Sequence, residues 1–175
     1  MRNVRAKYID AFSQGLARRR AASQDVHAEI RLELNGEKRH ELYKLLVADA
    51  IERDANGVIT AIAFTTSTIG ATYLDLPILT PLAWQAVTFR CRTHEFPASH
   101  LIAWGNRWIY DEAPPLGAQD GLTGIIHSVS QPEPKADRLV FDVDFGSAPF
   151  QAFEELIALL ASHIEAVLTY GEPQN

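Results

Sequence analysis

Cysteine is almost missing from this chain: among its 175 residues there is one, Cys91. A single thiol excludes an internal disulfide and a four-cysteine zinc site alike. Phosphate cradles are missing too, since neither G-x-x-x-x-G-K-[ST] nor G-x-G-x-x-G occurs. No serine stands in a G-x-S-x-G elbow. No apolar run approaches the roughly 18 residues that cross a bilayer, so no membrane partner is expected. The N-terminus carries charge with no apolar segment behind it, which argues against a secretory leader and points to a cytoplasmic location. Internal repeats and low-complexity stretches are also lacking.

What is present is an ordinary globular composition, 47% hydrophobic and 22% charged. That composition and length suit one domain with a sizeable core. The net charge of −6 is unevenly placed. Residues 1–22 hold Arg2, Arg5, Lys7, Arg18, Arg19 and Arg20 against Asp10 alone, a balance of +5 that leaves −11 on the remainder. A body that acidic argues against nucleic acid as its partner and suits a basic one.

Hydrophobic periodicity predicts the elements. Val4, Tyr8, Phe12 and Leu16 form one stripe, predicting a basic amphipathic helix over residues 1–22. Ala28, Ile30, Leu32 and Leu34 alternate with Glu29, Arg31 and Glu33, predicting a strand with one charged face. Asn35-Gly36 predicts a hairpin. Charge matching favours a three-residue loop that sets Glu33 opposite Arg39 and Ile30 opposite Leu42, with a helix over residues 37–51 as the competitor. Further strands are expected at residues 58–67, 83–93, 124–130 and 139–145, while residues 98–110 fit a helix or a strand. Ser147 and Pro149 start a C-terminal helix with a stripe of Phe153, Leu156, Ile157, Leu160, Ile164 and Leu168, expected to run over residues 147–170. A strand-rich body over residues 26–145 between two terminal helices makes an α+β domain with a largely antiparallel sheet.

Three constellations could carry chemistry. Cys91, His94 and His100 lie within ten residues and are of metal-ligand type, with Glu95 between them. Their spacing is not a standard one, and Ala98 stands where a His-Glu-x-x-His helix needs its second histidine. Cys91 could also be a nucleophile activated by His94 or His127, but nothing around it matches a thiol-enzyme signature. The commoner fate of such a residue is that of a small buried hydrophobe. Asp142 and Asp144 share a strand face, as an acid–base pair or as a solvated surface. Asp144-Phe-Gly spells the kinase metal triplet with none of its companions.

The stretch Leu139 to Pro149, LVFDVDFGSAP, running into Phe153 to Ile157, FEELI, resembles the C-terminal part of small bacterial immunity proteins encoded beside polymorphic toxins, including Rhs and type VI effectors. The resemblance lies mainly in residues 123–160. It implies a protein that binds and occludes a cognate toxin domain and is not an enzyme, with no cofactor and no catalytic or metal residues. The toxin-binding surface expected on charge and aromatic placement is Trp108, Asp111, Glu112 and Asp120, with Asp142 and Asp144 as a second patch. Tyr110 is weighed with Trp108 as core or interface. The alternatives are a small metal- or thiol-dependent hydrolase using Cys91, His94 and His100, or an effector adaptor that holds a client with its N-terminal helix.

Overall fold

A computed structural model describes residues 1–23, 25–33, 42–73, 81–92, 96–110 and 122–169. The fold is α+β. Helix α1 (Arg2–Ala22) leads into a three-stranded antiparallel sheet of β1 (Val26–Glu33), β2 (Leu45–Arg53) and β3 (Ile59–Ile62), in that spatial order. A second sheet holds β4 (Val87–Arg92), β5 (Ser128–Val129), β6 (Glu133–Lys135), β7 (Arg138–Asp144) and β8 (Ile164–Thr169). Its order is β5-β7-β4-β8, with β6 also paired to β7, and every pairing is antiparallel. Helix α2 (Ala98–Tyr110) and helix α3 (Phe150–Leu160) complete the described chain. No helix among the described residues is long and apolar enough to cross a membrane.

The α1 stripe is buried as its period demands: Val4, Tyr8, Phe12 and Leu16 are each about 1% exposed or less. The helix is held to the body by its cations. Arg5 Nε donates to Ala148 O at 2.7 Å, Arg2 pairs with Glu154 at 3.0 Å and Arg19 pairs with Glu52 at 3.3 Å. The basic segment and the acidic body are thus joined, and the stripe needed for a client is occupied within the chain. Aromatic rings fill the space between β4, β7 and α3. Phe89 stacks on Phe141 at 5.2 Å, and Trp84 meets Phe145 at 4.6 Å. Such pairs add about 1 kcal/mol each beyond their buried area.

Four sequence expectations are corrected. β1 pairs with β2 in a later register than the hairpin argument gave, Ile30 facing Ala48 and Glu33 facing Leu45. Leu42 belongs to a short 3-10 turn (Leu42–Lys44), where it is buried against α2: a Cβ on Gly105 would lie 2.4 Å from it. Its place in the core outweighs the charge pairing, and residues 34–41 lie outside the described chain. The expected strand 58–67 is only the four residues of β3. The C-terminal helix ends at Leu160, and Ile164–Thr169 is β8, an antiparallel neighbour of β4. Leu160, Ile164 and Leu168 fit a helical stripe, but Ile164, Ala166 and Leu168 also alternate, and a vacant sheet edge decides between the two periods. Finally, the single expected sheet is two.

Candidate functional site

The two sheets meet at His127. Its backbone N–H donates to Asp144 O of β7 at 2.8 Å, and its carbonyl accepts from Val47 N of β2 at 2.8 Å. The residue therefore bridges the sheets, and its side chain has no exposure at all. Around the ring stand three carboxylates from three strands: Glu29 of β1, Asp49 of β2 and Asp144 of β7.

Glu29 is the residue whose placement departs most from the alternation of its strand. Expected on the charged face, it is 5% exposed and takes the left-handed φ of +52°. That backbone is uncommon for a non-glycine residue and costs on the order of 1–3 kcal/mol. Here it turns the carboxylate inward. Oε1 accepts from His127 Nε2 at 3.0 Å and from Ser147 Oγ. Oε2 accepts from Thr123 Oγ1 at 2.7 Å and from Thr123 N. Ser147, read from sequence as a helix cap, serves this carboxylate, and α3 begins with no side-chain cap. Gly146 makes room for the ring. Its φ is +47°, and a Cβ there would lie 2.1 Å from His127 Cδ2. Tyr8 and Phe12 of α1 close the other side: Tyr8 OH donates to Asp49 Oδ1 at 3.1 Å, and the Phe12 ring meets the imidazole edge-on at 6.1 Å.

Nδ1 faces the two aspartates. It lies 2.7 Å from Asp49 Oδ1 and 4.0 Å from Asp144 Oδ1, yet neither oxygen meets its N–H in hydrogen-bond geometry. The ligand atoms of Asp49, His127 and Asp144 all lie within 4.8 Å of one another. In a tetrahedral site with bonds of about 2.0–2.2 Å, ligand atoms sit about 3.4 Å apart, so small side-chain adjustments bring these three onto one ion. The Glu29–His127 hydrogen bond supplies the carboxylate that commonly orients a ligating histidine and leaves its other nitrogen for a metal.

The electrostatics favour a cation. With all groups ionised, three carboxylates surround one imidazolium, which leaves an excess of negative charge out of water. Burial alone would lower the His127 pKa; its contacts with Asp49 and Glu29 and the nearby Asp144 outweigh that and raise it to about 10. Burial lifts Asp144 to about 6 against the opposing pull of His127. Burial also pushes Glu29 upward, but His127, Ser147 and Thr123 together hold it below its ordinary value. Tyr8 is raised by burial and by the same carboxylates.

Asp144 is the member that reaches the surface, its side chain 25% exposed. It lines a groove of about 210 Å³ with Gln85, Ala86, Ser128, Asp142 and Val143. Asp142 accepts from Thr88 Oγ1 at 2.5 Å. The expectation of a protein that is not an enzyme and has no metal-ligand set is corrected here: Asp49, His127 and Asp144 converge in an arrangement able to coordinate a metal ion.

Of the sequence candidates that the structure describes, only the two aspartates line the groove beside this cluster. Cys91 is fully buried on β4, inside the apolar core, which suits neither an open ligand nor an accessible nucleophile. His100 is exposed near the start of α2. His94 and Glu95 lie outside the described residues, as do Asp111, Glu112 and Asp120. Trp108 is 2% exposed, with Nε1 donating to Glu155 at 3.0 Å, so it is a core side chain and offers no exposed apolar anchor. Asp142 and Asp144 are half-buried, the second within the cluster. Asp49 and Glu29 were not foreseen as site residues, and His127 only as a partner for Cys91. No protein family, curated protein or solved structure matches the chain.

Proposed function

We propose that the protein is a metal-dependent hydrolase whose ligands are Asp49, His127 and Asp144, with Glu29 as the positioning carboxylate behind the imidazole. The observation that carries this reading is the convergence, within 4.8 Å, of ligand atoms from β2, β7 and the segment leading into β5, on a histidine whose Nδ1 lies 2.7 Å from Asp49 Oδ1 without hydrogen-bond alignment. Three protein ligands and a face toward solvent are the pattern of a catalytic centre, whereas structural sites are closed by four. A divalent cation bound there would supply Lewis acidity and an acidified water. Glu29 would keep the Nε2 proton in place, so that Nδ1 presents its lone pair. Asp144 would connect the buried ligands to the groove. Asp142, whose Oδ1 is fixed by Thr88, is the remaining carboxylate there and suits acceptance of a proton from water. At about 210 Å³ the groove is smaller than the ~300–1,000 Å³ typical of drug-sized ligands, which fits one phosphoryl or acyl group with the rest of the substrate outside.

The test is turnover. Protein stripped with a chelator and resupplied separately with Zn²⁺, Mn²⁺ or Mg²⁺ is assayed against chromogenic phosphate monoesters, phosphodiesters and carboxylic esters. Hydrolysis of one class that requires a cation is expected. It should drop by at least about 10–100-fold in Asp144→Asn, the loss that removing a ligand's support typically causes. Equal turnover with and without cation, or none on any class, would overturn the reading.

A further inference from the structure

The three-stranded sheet has two unlike edges. On one side β1 carries His27 and Arg31 and the left-handed Glu29, features that discourage another strand from pairing. On the other side β3 reads Ile-Thr-Ala-Ile, with no proline, charge or bulge. No strand among the described residues pairs with the edge of β3 that faces away from β2. Val58 and Ile59, 59% and 55% exposed, are the most exposed large apolar side chains described, and they lie at this edge. Where β3 ends, Ile62, Ala63 and Phe64 form one wall of a groove of about 440 Å³, and the C-terminal half of α1 forms the other. Gly15 permits the close approach: a Cβ there would lie 2.3 Å from the Phe64 ring. The groove is rimmed by Arg18 and Arg19. Arg19 pairs with Glu52, whereas Arg18 donates a hydrogen bond to Gln14 at 3.4 Å and has no carboxylate partner among the described residues.

We propose that this edge and groove form a docking site for an extended acidic peptide segment, which adds to β3 as a fourth strand and sets its carboxylates against Arg18 and Arg19. Main-chain hydrogen bonds to an exposed edge give such complexes affinity, and pockets for alternate side chains give selectivity. Four residues of β3 offer only a few ladder bonds, so the apolar wall at Phe64 and the two guanidinium groups must supply the rest. The charge pattern selects the occupant. An acidic strand meets Arg18 and Arg19 with opposite charge. The proposal does not depend on the metal centre.

Fluorescence anisotropy with a labelled peptide alternating valine and glutamate tests it on the full chain. The expected result is saturable binding that weakens with added salt and falls about tenfold in Arg18→Glu, an exposed substitution checked for fold by circular dichroism. The same peptide N-methylated at alternate residues should fail to bind, because it cannot complete the ladder. A valine–lysine peptide should also fail. Equal binding of the acidic and basic peptides, undiminished binding of the N-methylated one, or an unchanged affinity in Arg18→Glu would overturn the proposal. So would a dimer closed through this edge in sedimentation that the acidic peptide does not displace.

Discussion

At the scale of single residues, the chemistry of this protein is concentrated in an imidazole held between carboxylates from opposite sides. Without a cation, His127 is protonated up to about pH 10, so its contacts contribute fully below about pH 6.5 and fade as pH climbs between the two. Asp144, lifted to about 6, keeps a proton in the folded chain that the unfolded chain has already released from its ordinary 3.8. Stability therefore also falls as pH rises across that window. The two effects run the same way, and urea unfolding in chelator should show stability decreasing from about pH 5 to pH 9. A divalent cation bound there would reverse the trend, because it would compete with the Nδ1 proton and bind more tightly as pH rises. Gly146 provides a steric check. A methyl group at that position meets the His127 ring, and the φ of +47° is unfavourable for alanine. Gly146→Ala should cost about 2–4 kcal/mol in chemical denaturation, combining overpacking with backbone strain.

At the scale of elements, the two sheets should differ in how they open. β4 is central, flanked by β7 and β8, whereas β3 is a four-residue edge strand. Hydrogen exchange should find the amides of Val87–Arg92 far slower than those of Ile59–Ile62. Comparable rates would contradict the assignment of β8, since β4 would then lie at an edge. This is also the scale at which the sequence is most and least informative. α1 is legible because a local period of four residues states its buried face. β4 and β7 are legible because alternation with aromatic and β-branched residues does the same. β8 is not, because its apolar residues satisfy both periods and only the edge of β4 distinguishes them. The site is harder still. Asp49 lies within Val-Ala-Asp-Ala and His127 within Gly-Ile-Ile-His-Ser, single polar residues inside apolar runs. Such singletons are the available signal, since a buried polar group needs partners. Which partners it finds depends on segments about a hundred residues apart in sequence coming together, as those of Glu29 and His127 do. The stretch Leu139 to Pro149 also acquires a local physical account: its Asp144, Gly146 and Ser147 shape and support the buried cluster.

At the scale of the molecule, the −11 body and the +5 helix are one assembly. α1 neutralises part of the acidic surface with Arg2, Arg5 and Arg19 and lays Tyr8 and Phe12 over the cluster at the junction of the sheets. Helix, sheets and site are thereby coupled, and a cation in the cluster would stabilise all of them together. The most direct test of the metal centre is calorimetric titration of Zn²⁺ into chelator-treated protein near neutral pH, in two buffers of different ionisation heat. The account predicts about one ion per chain with release of about one proton, the one that leaves His127 Nδ1. Both signals should vanish in His127→Gln and in the partly exposed Asp144→Asn, and persist in Cys91→Ser. Absence of binding, or binding that survives both cluster substitutions, would contradict it and leave the four groups as a structural ion network.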